Sequence, residues 1–193
     1  MGKLDQTDLH RRSTRLPEYD YTQPGAYFIT ICVKDRRYRL GAIIDEEMVF
    51  SKEGEILQDV WEGLPKHYPN IKLDEFVVMP NHVHGIIWIL EIEEPFVGAG
   101  LRPARNEKRR KQEGQRPSPT KKSKAHGLPE IVRAFKSFSS RQINEFRHTK
   151  GSKFWQRSFY DHIIRDEEDL CQHRKYIQEN VLKWCLDEYH SPR

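Results

Sequence analysis

Pro80-Asn81-His82-Val83-His84 places two imidazoles two residues apart at the head of an apolar run. In a β-strand, residues i and i+2 project from the same face, so both rings would point the same way. Two neutral imidazoles on one face offer two corners of a metal site and leave positions open for substrate oxygens. By itself such a pair is also what two solvated strand histidines look like, so a third group is needed. Near the C-terminus, Tyr176 and Asn180 stand at i and i+4, one turn apart if the segment is helical. A tyrosine oxygen can attack phosphorus and hold the product covalently, and an amide oxygen can complete a hard-cation site suited to Mg²⁺ or Mn²⁺. Alone, that pair also reads as a core-edge tyrosine beside a surface amide.

Those residues need elements to hold them. After Pro24-Gly25, Ala26–Val33 is apolar, β-branched and aromatic, which predicts a strand. Leu40–Ile44 and Met48–Phe50 form a short excursion around Asp45-Glu46-Glu47. Ser51 opens a helix with Glu55 in its first turn; Ile56, Leu57, Val60, Trp61 and Leu64 share helical spacing until Pro65 ends the pattern. Ile71–Met79 and His82–Leu90 predict a hairpin of two strands about Pro80-Asn81. Leu128–Phe146 predicts a helix with Ile131, Val132, Phe135, Phe138 and Ile143 on one face. Phe154–Ile164 reads as an aromatic-rich strand or extended segment. Asp166 can cap a last helix running through Trp184, with Glu167, Glu168 and Asp169 in its first turn. On it, Leu170, Arg174, Ile177, Val181 and Cys185 form the apolar face. Asp169, His173, Tyr176, Asn180 and Lys183 form the polar stripe beside it. The fold class that follows is α+β, a ferredoxin-like β-α-β-β-α-β sandwich with an extra C-terminal helix carrying the tyrosine.

Composition narrows the function. The 193 residues carry 33 Lys and Arg against 29 Asp and Glu, a net charge of +4 that hides a strong asymmetry. Leu101–His126 holds Arg102, Arg105, Lys108, Arg109, Arg110, Lys111, Arg116, Lys121, Lys122 and Lys124 against Glu107 and Glu113. Few large apolar side chains accompany them, so the segment cannot offset its ordering entropy and is expected to be a mobile basic insertion, at about 95–127. It is either a solvated linker or a salt-sensitive grip on nucleic-acid phosphates. Residues 1–20, with the basic cluster His10–Arg15, are expected to be a flexible arm, and 21–190 one catalytic domain. No apolar run reaches 18 residues, and the opening MGKLDQTDLHRRSTR lacks a signal peptide's apolar core. Cys32, Cys171 and Cys185 are odd in number and lack CxxC spacing, against a disulfide framework or a Cys-based zinc site. A cytoplasmic, nucleoid-associated protein without membrane contact is the expectation. GxGxxG, GxxxxGK[ST] and HExxH are all absent from the sequence.

Taken together, VVMPNHVHGIIWI resembles the HUH signature of single-tyrosine transposases, two histidines flanking a hydrophobic residue. FWQRSFYDHIIRDEEDL followed by RKYIQEN is similar to the C-terminal signature of the REP-associated tyrosine transposases, and Pro24-Gly25-Ala26-Tyr27-Phe28-Ile29-Thr30 to their opening segment. The similarity spans roughly Tyr21 to Trp184. The resemblance implies that His82 and His84 bind a divalent metal, Mg²⁺ or Mn²⁺, completed by Asn180, and that Tyr176 is the nucleophile. It further implies single-stranded DNA with palindromic hairpins as substrate, cleaved and rejoined through a 5′-phosphotyrosine, by a monomer or homodimer. Members of the subgroup often carry proline after that Asn; Val181 stands there instead, which would let the helix continue. Trp155, Gln156 and Arg157 also match the signature, as packing residues or, for Arg157, as a DNA contact. Tyr160, beside Asp161 and His162, is a rival nucleophile, and His173 a candidate to help ionise Tyr176. A non-cleaving hairpin-binding protein of the same fold, for DNA or RNA, and a metal-dependent hydrolase using water are the competing functions.

Overall fold

The computed structural model describes residues 16, 18–91 and 126–190. The expected N-terminal arm, apart from its last few residues, and the basic insertion up to residue 125, with all ten of its cationic side chains, lie outside the described residues. Strands β1 (Gly25–Cys32), β4 (Ile71–Val78), β5 (His82–Ile89) and β6 (Tyr160–Ile164) build one antiparallel sheet in the order β4-β5-β1-β6. With helices α1 (Lys52–His67) and α2 (Leu128–Phe146) in the connections, this is the ferredoxin-like β-α-β-β-α-β arrangement. Helix α3 (Glu167–Glu179) follows β6. The excursion after β1 is a small hairpin, β2 (Gly41–Ile44) with β3 (Glu47–Phe50).

Strand alternation assigns the two faces of the sheet. Tyr27, Ile29 and Ile31 of β1 and Val83, Ile87 and Ile89 of β5 pack with Leu57, Trp61, Ile131, Val132 and Phe135 of α1 and α2. The opposite set, Ala26, Phe28 and Ile86, packs with Leu170 and Ile177 of α3. Gly85 is what lets Trp61 stack on Phe76 at 4.3 Å. A Cβ there would come within 2.6 Å of the indole. Because His82 and His84 share the parity of Ile86, they lie on the face that α3 covers. Register then lines up His84, Thr30 and Tyr160 across β5, β1 and β6.

Three expectations need correction. Helix α1 continues through Pro65 to His67, because a proline in the last turn forfeits one hydrogen bond and Leu64 still accepts from the Tyr68 amide at 3.0 Å. The stretch 154–164 is strand only from Tyr160; Phe154 and Trp155 instead fill the core, Trp155 donating its indole N–H to Ser139 at 3.0 Å. Helix α3 stops at Glu179 rather than running through Trp184, and Val181 does not prolong it. Asn180 caps its end, and turns lead to a short 3-10 turn at Trp184–Leu186 that buries Trp184 while leaving Cys185 exposed. Trp184 sits edge-on to Tyr38 and 6.0 Å from the His82 ring, which draws the chain back to the sheet.

Few apolar groups hold α3, so a polar clamp matters. Arg174 donates to both carboxylate oxygens of Asp74 at 2.9 and 2.7 Å, and Trp88 donates its indole N–H to the same carboxylate at 2.9 Å. The Arg174 guanidinium holds the Asp74 carboxyl far below the usual carboxylate range. Asp74→Asn should therefore cost roughly 1–3 kcal/mol at neutral pH in urea unfolding. A carboxylate depressed in the folded state stabilises above its unfolded pKa, near 3.9, and loses that contribution as pH falls. The gap between native and variant should accordingly narrow below about pH 4.

Candidate metal and tyrosine site

The first two residues of β5's α3-facing row are fully buried imidazoles. Nε2 of His82 and Nε2 of His84 lie 2.8 Å apart. Each ring is oriented through its other nitrogen. His82 Nδ1 donates to the Asn81 amide oxygen at 2.8 Å, and His84 Nδ1 pairs with the Thr30 hydroxyl at 2.8 Å. Asn81 is fixed in turn, donating its amide to the carbonyls of Tyr189 at 2.8 Å and Arg36 at 3.2 Å. Burial pushes the His82 imidazole down to about 3, and burial with the neighbouring His82 pushes His84 well below its ordinary value. Both rings are neutral at physiological pH, the form that ligates metals.

Tyr176 reaches this pair from α3, its hydroxyl 3.4 Å from His84 Nε2. Its ring packs edge-on to His84 at 5.1 Å and to Phe28 at 5.9 Å. Burial, with the nearby Asp187 charge, raises the phenol, while a hydrogen bond from Asn180 works the other way. Asn180 is buried, hydrogen-bonds Asp187 as well, and leaves its amide oxygen without a partner among the described residues. The structure thus brings Tyr176 to the His82–His84 pair and Asn180 to Tyr176 and Asp187. Arg157, by contrast, is exposed and lines a separate groove with Arg133 and Lys136. Tyr160 shares the cleft of about 510 Å³ in front of Tyr176, together with Phe28, Thr30, His84, His173 and Tyr189.

Sequence reasoning missed Asp187. One of its carboxylate oxygens is 3.9 Å from His82 Nε2, and with His84 it forms a cluster whose ligand atoms all lie within 4.8 Å. Burial raises its carboxyl against bonds from the Tyr189 amide and Asn180. Tyr189 closes the same side, its ring 4.6 Å from His82 and under the Arg36 guanidinium. No spacing rule points to either residue, because both follow the irregular turns after α3.

A divalent cation fits these residues. Two neutral imidazole nitrogens 2.8 Å apart, with an Asp187 carboxylate oxygen nearby, form a donor set that could share one ion. The Asp187 carboxylate adds an oxygen donor to the two imidazoles, and the buried Asn180 amide oxygen, which hydrogen-bonds no described group, is a further candidate donor.

No protein-family model matches the chain. A Haemophilus influenzae protein of unassigned function is 36% identical over 181 residues, covering 93% of this chain and 92% of its own length. A second Haemophilus influenzae protein, provisionally named a REP-associated tyrosine transposase, is 27% identical over 165 residues, 85% of this chain and 74% of that one. The chain is thus similar in sequence to a protein provisionally named a REP-associated tyrosine transposase. The structure of a REP-associated tyrosine transposase bound to a REP hairpin shares its fold, with a TM-score of 0.54 and 19% identity over 88% of this chain and 74% of that one.

Among the described helices, none is long and apolar enough to cross a membrane. Two outcomes follow from the site. Asn81→Ala should weaken Mn²⁺ binding about 10–100-fold by calorimetry, because it frees the His82 ring while keeping both ligands. In the metal-free protein, both histidines bind protons more weakly than in the unfolded chain. Stability should therefore fall as pH drops below about 6.5, where the unfolded imidazoles take up protons the folded ones refuse. Urea unfolding between pH 7 and 5 reads this directly.

Proposed function

We propose that this protein is a metal-dependent transesterase of single-stranded DNA that cleaves and rejoins strands at palindromic repeat hairpins. The observation that carries the reading is the Tyr176 hydroxyl beside the paired imidazoles, 3.4 Å from His84 Nε2. A tyrosine there is positioned to act on a phosphate bound at the same point. The hairpin as partner is supported by the likeness of fold to a REP-associated tyrosine transposase whose structure holds a REP hairpin.

His82 and His84, with Asn180 and Asp187 as oxygen donors, would hold one Mg²⁺ or Mn²⁺. When bound, that ion supplies positive charge to a non-bridging phosphate oxygen and to the phenolate. Tyr176 Oη attacks phosphorus in line. The phenol proton passes to solvent, the new Tyr–O–P bond retains the 5′-phosphate, the P–O3′ bond breaks, and the 3′-oxygen of the released strand takes up a proton to become a hydroxyl. Asn180 donates a hydrogen bond to the phenol oxygen and so favours its ionised form against the effect of burial. The bond energy stays in the adduct, so an incoming 3′-hydroxyl can reverse the step without ATP. Phe28 and Tyr189 give the cleft aromatic surface for unpaired bases. Arg102, Arg105, Lys108, Arg109, Arg110, Lys111, Lys121, Lys122 and Lys124 supply salt-sensitive affinity more than sequence choice, with Arg157 on its own groove. Monomer and homodimer are both compatible with one complete site per chain.

The purified protein, incubated with Mn²⁺ and single-stranded repeats from beside its own gene, should give a covalent adduct on a denaturing gel. The adduct should vanish with chelator and in Tyr176→Phe, and survive in Tyr160→Phe. Hairpin binding with metal but no adduct would favour the non-cleaving reading, and free ends without an adduct would favour water as the nucleophile.

A further inference from the structure

A second ligand cluster lies outside the site described above. His162 of β6 and Asp169 and His173 of α3 bring three donor atoms within 4.8 Å of one another. Asp169 is the hub. Its carboxylate lies 2.9 Å from His162 Nε2 and 3.0 Å from His173 Nδ1, and the backbone N–H of Arg165 donates to it at 3.1 Å. The two imidazoles stack face to face, with centroids 4.6 Å apart and planes 21° off parallel. That stacking turns one nitrogen of each ring toward the same carboxylate. The carboxylate is oriented from behind by a backbone amide, as the carboxylate ligands of metal sites are. All three side chains are partly exposed, so an ion and its waters can enter.

We propose that His162, Asp169 and His173 form a second divalent-metal site, separate from the His82 and His84 pair. Two imidazoles and one carboxylate suit a transition-metal dication such as Zn²⁺, Co²⁺ or Ni²⁺. His162 Nε2 and His173 Nδ1 each face an oxygen that can only accept, so in the free protein each of these nitrogens carries the ring's proton. As each nitrogen's lone pair takes the ion, its proton leaves to solvent and the ring's other nitrogen takes one up, so both rings ligate as neutral imidazoles. The ion's charge is partly offset by the Asp169 carboxylate. Its structural consequence is a cross-link between β6 and the first turns of α3, ending three residues before Tyr176. The ion would steady the helix that presents the tyrosine.

The test is Co²⁺ titration of the chelator-treated full chain, read by calorimetry and visible absorption. The native protein should take up two ions, and Asp169→Asn and His162→Ala one each, with unchanged far-ultraviolet circular dichroism. One ion in the native protein that persists in both variants would overturn the second site. So would two ions in the native protein and in both variants. One ion in the native protein that is lost in both variants would uphold it, and would count instead against metal at His82 and His84.

Discussion

Two uncharged imidazoles buried side by side are the constraint on which the rest of this molecule turns. Charging either would place a cation in a buried site beside a second ring, which burial opposes. Keeping them neutral and aimed at each other takes the central strand pairing of β5, with β1 on one side and β4 on the other. It also takes a hydrogen-bond acceptor or donor on each outer nitrogen, Asn81 for His82 and Thr30 for His84. Asn81 does this while tying together the turn after β1 and the segment after α3. The site is therefore built where three chain segments meet.

Helix α3 is positioned by a different balance. Its apolar contact is narrow, Leu170 and Ile177 against Ala26, Phe28 and Ile86. The bidentate Arg174–Asp74 pair supplies the orientation that so small a contact cannot. Tyr176 is half exposed as a result, held at its ring by Phe28 and His84 but open at the cleft. A nucleophile that must meet a strand of nucleic acid needs that opening, whereas the histidines that orient charge need burial.

Much of this was legible in the sequence, for reasons that differ from residue to residue. The shared face of His82 and His84 follows from the two-residue period of a strand, and the helix Leu128–Phe146 from its apolar spacing. The proximity of Tyr176 to His84 was not visible in either local pattern, since the two are 92 residues apart; the family resemblance carried it. The end of α3 was misread because Val181 and Cys185 continue the helical period, while the burial of Trp184 is a tertiary effect that overrides it. Asp187 lay beyond reach for the same reason: irregular chain has no period from which a direction can be read. The cluster of His162 with Asp169 and His173 divides in the same way. Its i and i+4 pair is readable, and its third member depends on how β6 meets α3.

The central claim is that the oxygen of Tyr176 becomes bonded to phosphorus. Mass spectrometry of the protein–DNA adduct, after digestion with nuclease and trypsin, tests it most directly. Cleavage after Lys175 and Lys183 yields the peptide Tyr176–Lys183, and cleavage after Arg157 and Arg165 yields Ser158–Arg165, which carries Tyr160. The account predicts a 5′-nucleotide mass on Tyr176 and an unmodified Tyr160 peptide. A nucleotide on Tyr160, with Tyr176 unmodified, would contradict it.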